Sequence, residues 1–325
     1  MGKLINGVWV ESVEKTRTTS GGAFARGTTS FRDWIRKDAS APFAPAAERY
    51  HLLVAHNCPW AHRAIIVRNL KRLQGLITMS VAEVRRDEDG WWFTDGIDEF
   101  QPTNGKLPLH HYYAAAHGEY SGSATVPVLW DRKTKTIVSN ESAEIIRMFN
   151  DAFDDLGERG ATPDLYPEEL REEIEEVNEW VYAKINNGVY KCGFARTQEA
   201  YDAAFDPLFE ALDAAEARLQ SSRYLVGAQL TLADVRLFTT LARFDAVYHG
   251  HFKCNLRRIF DYPAMSAYVR DLYQTEGIGE TVHIDVYKSG YYGRSPGINP
   301  RGIIPRGPAL DFHAPHDRAT RRYPA

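Results

Sequence analysis

Apolar positions change period along the chain. Between residues 50 and 150 they come in short runs: Tyr50 to Ala55, Ile77 to Val84, Thr125 to Trp130 and Thr136 to Val138. Short runs rich in β-branched residues predict strands. Two helical patterns are set among them. Ile65, Ile66, Leu70 and Leu73 recur at helix spacing after the first run, and Ala143 to Phe149 forms an amphipathic stretch after the last. The second is opened by Ser139-Asn140-Glu141-Ser142, residue types that cap helices. The first two strands, joined across a helix, are expected to be parallel. Beyond residue 168 the period is helical throughout. Leu170, Ile174, Val177, Trp180, Val181 and Ile185 share one face of a helix from Glu168 to Asn186, and a second helix is expected from Thr197 to Gln220. A third opens at Thr231-Leu232-Ala233-Asp234, where Thr231 and Asp234 have N-cap and N3 spacing, and runs through Leu237, Leu241 and Phe244. An α/β domain followed by an all-α domain is the pattern's prediction.

Turn-forming residues divide the rest. Residues 1–49, with Gly21-Gly22, Pro42 and Pro45, read as an irregular arm before a domain at 50–150. A linker is expected at 151–167, where Gly157, Gly160, Pro163 and Pro167 fall, then a helical domain at 168–280 and a Gly-, Pro- and Arg-rich extension at 281–325. That extension is expected to lie over the helical domain. Arg85 to Ser123 is polar, acidic and aromatic, carrying Gly90-Trp91-Trp92-Phe93 and His110-His111-Tyr112-Tyr113. It is too long for a plain connection and reads as an insertion near the functional site.

Composition narrows the function classes. The 325 residues are 44% hydrophobic and 25% charged with a net charge of −4, which gives no case for nucleic-acid binding. No apolar run approaches the ~20 residues of a membrane span. The first residues lack a signal-peptide core, and Asn6 stands where myristoylation needs Ser or Thr, so a cytoplasmic protein is expected. Three widely spaced cysteines suggest neither a disulfide framework nor a zinc site. His249, His251 and Cys254 cluster, but without a fourth ligand they read as a polar loop, and no metal is expected. No phosphate-binding glycine fingerprint occurs, so a bound nucleotide cofactor is not expected.

The candidate chemistry begins at Cys58. It sits where the first strand turns into the first helix, followed by Pro59, a residue suited to the first helical turn. A helix N-terminus favours the thiolate, bringing thiol pKa values from ~8.5 to ~3.5–7.5. The competing reading is a small buried hydrophobe. The segment resembles the Cys-Pro-x-Cys site of the glutaredoxin and thioredoxin fold, with Ala61 where a resolving cysteine would stand. An outside thiol must then release whatever Cys58 bonds to, which points to glutathione. In thioredoxin-like folds the bond equivalent to Val126-Pro127 is cis and sets the preceding backbone opposite the cysteine. Glu141 and Ser142, at a helix N-terminus, have the parts to hold an amino-acid zwitterion.

Taken together, Cys58-Pro59-Trp60-Ala61-His62-Arg63, Gly90-Trp91, Val126-Pro127-Val128-Leu129-Trp130-Asp131, Ser139-Asn140-Glu141-Ser142 and Asn186 to Ala195 resemble the Xi class of glutathione transferases, the glutathionyl-hydroquinone reductases. The resemblance implies an α/β N-terminal thioredoxin-like domain plus an all-α C-terminal domain, and a homodimer. It also implies reduction of glutathionyl-hydroquinones, chlorinated or not, with glutathione as co-substrate and no permanently bound cofactor. Cys58 would be the nucleophile and Tyr190 the proton donor, with Tyr248 and Tyr291 assisting at the ring oxygen and the thiolate. Trp91, Thr125, Val126, Pro127, Val128, Glu141 and Ser142 would bind glutathione, Trp92 being the alternative to Trp91. Two rivals stay open: an Omega-type thiol transferase or dehydroascorbate reductase, and a non-catalytic carrier of hydrophobic phenols.

Overall fold

The computed structural model describes residues 2–11, 18–84, 87–156, 162–293 and 295–323. Arg85 of the expected insertion and Gly157 and Gly160 of the expected linker lie outside them. The chain divides into two compact units, Met1–Lys15 with Thr28–Thr162, and Thr16–Gly27 with Pro163–Ala325.

The first unit is built on a four-stranded sheet. In chain order its strands are β3 (Tyr50–Val54), β4 (Ile77–Val81), β7 (Val128–Asp131) and β8 (Thr136–Ser139), set side by side as β4-β3-β7-β8. β3 and β4 are parallel across helix α1 (Pro59–Leu70), while β7 runs antiparallel to β3 and to β8. Helix α3 (Ser142–Asp151) packs against α1. This is the strand–helix–strand order expected from the apolar pattern. Two strands are shorter than that pattern: β4 ends at Val81, and β7 begins after Pro127 because proline has no N–H to give a ladder.

Residues 2–10 depart from the expected irregular arm. β1 (Lys3–Ile5) and β2 (Val8–Val10) form an antiparallel hairpin closed by Asn6-Gly7, both with positive φ (48° and 76°). Such a two-residue turn matches the twist of the strands it joins. A Cβ on Gly7 would lie 1.9 Å from the Gly118 carbonyl oxygen, so the position admits no side chain. The aromatic insertion also has regular elements among its described residues. It holds strands β5 (Trp92–Phe93) and β6 (Leu107–Pro108) and helix α2 (His110–Ala116), which packs against β8.

The second unit is helical: α4 (Arg171–Trp180), α5 (Gly188–Gly193), α6 (Gln198–Ser221), α7 (Leu232–Arg243), α8 (His249–His251), α9 (Pro263–Tyr273) and α10 (Ile284–Tyr292). Asp234, fully buried, accepts hydrogen bonds from the Thr231 amide (2.9 Å) and hydroxyl (3.0 Å), the Leu225 amide (2.8 Å) and the Tyr268 hydroxyl (2.8 Å). The capping arrangement read from Thr231 and Asp234 is thus present and also ties in α9. The helix expected over Glu168–Asn186 is interrupted. It opens as a 3-10 turn at Glu168–Leu170 and becomes a π-helical turn at Val181–Asn186. The C-terminal extension contributes α10 and then returns to the end of α6. There the buried Arg318 guanidinium donates to the carbonyls of Leu219 (3.0 Å), Ser222 (2.6 Å) and Arg223 (2.7 Å), where a cation meets the negative end of the helix dipole. Among the described residues no helix is long and apolar enough to cross a membrane.

Candidate active site

Cys58 is the N-cap of α1, in extended backbone conformation (φ −85°, ψ 117°), with Pro59 in the first helical position. Its amide donates to the Ala55 carbonyl (3.0 Å), which turns the chain from β3 into the helix. The half-buried side chain makes no capping bond to the helix it heads. It lies 3.5 Å from the Val126 carbonyl oxygen, and the Val126-Pro127 bond is cis. Backbone and thiol therefore face each other as the motif order implied. Ala61, in the place of a second cysteine, is fully buried.

The backbone before the cis bond is held by a residue that the sequence reading did not single out. Tyr113, on α2, donates its hydroxyl to the Thr125 carbonyl (2.7 Å) and accepts from the Thr125 amide (3.2 Å) and from Asn140 Nδ2 (3.0 Å). Burial pushes this hydroxyl up to about 12, so it stays protonated and can donate. Nothing in the local pattern distinguishes Tyr113 from Tyr112. Val128, the first residue of β7, pairs with Leu53 of β3.

Glu141 is the N-cap of α3; one carboxylate oxygen accepts from the Ala143 amide (3.1 Å) and the other from the Thr29 hydroxyl (3.2 Å). Ser142 is buried, its hydroxyl 3.5 Å from the guanidinium of the equally buried Arg63 on α1. Arg63 also stacks over Trp60, 4.5 Å from the ring centroid. The helix end thus gathers a carboxylate, a hydroxyl and a cation. Trp91 is half-buried and fixed by its carbonyl, which accepts from the Leu109 amide (2.8 Å), whereas Trp92 belongs to β5.

In the second unit, three hydroxyls meet. Tyr291 Oη on α10 lies 2.6 Å from Tyr190 Oη on α5 and 3.2 Å from Tyr248 Oη, although the three residues are far apart in sequence. Phe252 stacks on Tyr248 (5.4 Å between centroids), and the Arg26 guanidinium sits 4.7 Å over Tyr190 while donating to Asn187 Oδ1 (2.7 Å). Burial pushes the Tyr248 and Tyr291 hydroxyls well above the usual phenol range. Tyr190 adds to this, while the charge of Arg243 pulls the other way without prevailing. Arg243 is itself fully buried, stacked 3.7 Å from the Tyr287 ring centroid. A chain of phenol hydroxyls can hydrogen-bond a ring oxygen and pass a proton along.

Two π-helical turns set these tyrosines. Val181–Asn186, closed by the Asn187 amide on the Tyr182 carbonyl (2.9 Å), precedes α5 and Tyr190; Phe244–Tyr248 ends on Tyr248 itself. A π turn carries one more residue than the α turn it replaces, which changes the facing of every later residue in the helix, and such turns are frequent at functional sites.

The glutathione S-transferase N-terminal domain model matches residues 57–152, and the C-terminal domain model matches residues 198–271. The chain is 48% identical to glutathionyl-hydroquinone reductase YqjG of Escherichia coli (strain K12), over 99% of both chains. It is also 48% identical to glutathionyl-hydroquinone reductase PcpF of Sphingobium chlorophenolicum, over 95% of this chain and 97% of that one. This chain belongs to the glutathione transferase family, among its Xi-class glutathionyl-hydroquinone reductases. The transferase resembles the solved Xi-class enzyme of Natrialba magadii with a TM-score of 0.88 at 44% identity, covering 98% of this chain and 97% of that one. It resembles the glutathione-bound structure of the Escherichia coli relative with a TM-score of 0.86 at 45% identity, covering 98% and 99%. The transferase thus has the thioredoxin-like first domain and all-α second domain of its family, and membership makes it an enzyme.

Proposed function

We propose that this transferase reduces glutathionyl-hydroquinones to free hydroquinones, with glutathione as co-substrate. The Cys58 thiolate attacks the sulfur of the aryl thioether. The carbon–sulfur bond breaks as the ring carbon takes a proton from Tyr190, leaving Cys58 in a mixed disulfide with glutathione. A second glutathione then attacks that disulfide, releasing glutathione disulfide and restoring the thiolate. Glutathione would be held by the backbone around Val126 and by Glu141, Ser142 and Trp91. A cytoplasmic homodimer belongs to the same reading.

The observation that carries this reading is the hydroxyl chain Tyr190–Tyr291–Tyr248, with contacts of 2.6 and 3.2 Å. Carbon is a poor leaving group until protonated, so thioether reduction needs a proton donor that reduction of a small disulfide does not. The two relatives named glutathionyl-hydroquinone reductase support the substrate, and the glutathione-bound relative supports the co-substrate. The test is mass spectrometry of a reaction given a glutathionyl-hydroquinone but no free glutathione. One hydroquinone per subunit should appear, with one glutathionyl group on the Cys58 peptide, and adding glutathione should restore turnover. Continued release through a Cys58–Cys192 or Cys58–Cys254 disulfide would overturn the monothiol mechanism.

A further inference from the structure

Cys192 and Cys254 lie far apart in sequence and outside any role given to Cys58, yet the second unit brings them together. Cys192 is the penultimate residue of α5, and the Cys254 thiol lies beside it. The Cys254 sulfur also lies 3.9 Å from the carbonyl oxygen of Val189, one turn earlier on the same helix. The approach is built into the fold. A Cβ on Gly193 would sit 2.2 Å from the Phe252 ring, so only glycine lets α5 come this near to the 252–254 turn. That turn is held in place by Lys253, whose φ is 59° and whose carbonyl accepts from the Tyr201 hydroxyl (2.6 Å).

Both cysteines are buried, but their surroundings differ. Cys254 is fully buried, whereas Cys192 forms part of the wall of a cleft of about 340 Å³ also lined by Arg196, Thr197, Tyr201, Lys253 and Asn255. Arg196 and Lys253 bring two positive charges to that cleft.

We propose that Cys192 and Cys254 are a thiol pair closed to an intramolecular disulfide by a small anionic disulfide of the glutathione-disulfide class, which enters by the cleft and reacts first at Cys192. Cys192 loses its proton and attacks one sulfur of the small disulfide; its other half leaves as a thiolate and takes up that proton. The Cys254 sulfur then attacks the Cys192 sulfur, expelling the second half, which takes the Cys254 proton. Two cysteine thiols are oxidised by two electrons, and one small disulfide is reduced to two thiols. Burial pushes the Cys254 thiol well above its usual range, consistent with Cys254 as the second, slower partner. The bond would join α5, which carries Tyr190, to the turn that comes after Tyr248.

The experiment uses the full chain as Cys58→Ser, so that its outcome is independent of the proposed reductase chemistry. Incubation with excess oxidised glutathione, followed by non-reducing peptide mapping, should give one cross-linked peptide pair holding Cys192 and Cys254, lighter by two hydrogens. Titratable thiols should fall from two per subunit to none, and dithiothreitol should restore them. Adding Cys254→Ser should stop the reaction with a glutathionyl group on Cys192; adding Cys192→Ser should leave Cys254 unmodified. Should either of these variants not fold, peptide mapping of the Cys58→Ser protein decides the question. Two thiols surviving in that protein, or a stable glutathionyl adduct without the cross-link, would overturn the proposal.

Discussion

The Tyr113 hydroxyl holds Thr125 by both of its backbone groups, donating to the carbonyl at 2.7 Å and accepting from the amide at 3.2 Å. Thr125 precedes Val126, whose carbonyl faces Cys58. Tyr113→Phe removes the hydroxyl and leaves those part-buried Thr125 groups and the buried Asn140 Nδ2 without it; a fully buried unsatisfied group costs about 1–3 kcal/mol and a part-buried one, which water can reach, less. We expect a loss of roughly 2–3 kcal/mol in urea unfolding, with a several-fold rise in the KM for glutathione and a smaller change in kcat. An unaltered KM would show that the Val126 backbone keeps its place without Tyr113.

Cys58 is half-buried at a helix N-terminus, whereas Cys192 and Cys254 are buried. Brief treatment of the folded protein with iodoacetamide is therefore expected to label Cys58 first, at least tenfold faster than either of the others, a factor that ~1.4 kcal/mol of barrier supplies. Peptide mapping reads the order. Labelling of Cys254 at a comparable rate would contradict the burial that sets it apart.

Tyr190→Phe separates the reductase from an Omega-type thiol transferase. Turnover of a glutathionyl-hydroquinone should fall by roughly 10²-fold or more, the scale of a lost general acid, while reduction of a small mixed disulfide is spared. Equal loss on both substrates would assign Tyr190 a structural role.

A pH-dependent contribution to stability comes from Arg49 and Asp131. Burial works against the Asp131 carboxylate, but the Arg49 guanidinium (2.7 and 2.8 Å), the Thr134 hydroxyl (2.6 Å) and the Lys133 amide (3.1 Å) outweigh it and hold its pKa below the usual value. A depressed carboxylate pKa stabilises the fold above the unfolded value of about 4, and the stabilisation is lost as pH falls through the lower, folded value. Arg49→Met strands a buried charge and should cost about 3–5 kcal/mol at neutral pH. Urea unfolding from pH 7 down to 3 should show the gap from wild type narrowing below about pH 4; a gap independent of pH would mean that packing, not charge, is lost.

What could be read from the sequence was local. Cys58-Pro59, Glu141-Ser142 and Thr231 with Asp234 each report a helix end through neighbours within four residues, and all three helix ends occur. The Asn6-Gly7 hairpin was equally local but went unread, since strands of three residues are too short to show alternation. Tyr113 was hidden for another reason: its partners Thr125 and Asn140 are 12 and 27 residues away, and no periodicity marks a side chain that bonds to distant backbone. The tyrosine chain was named only through family resemblance, because Tyr190 and Tyr291 are 101 residues apart. Nor does an apolar stripe over Glu168–Asn186 betray one additional residue in its last turn.

That additional residue has a bearing on how descent in this family is to be traced. Excising one position from Val181–Asn186 would restore an ordinary α turn and swing α5 by roughly 100° about the helix axis, carrying Tyr190 away from Tyr291. A homologue could therefore keep every tyrosine in its sequence and still have lost the hydroxyl chain. When family members are aligned, a single gap at 181–186 or 244–248 is therefore a sign of a changed chemistry in its own right, to be read beside any substitution at Tyr190 or Tyr248.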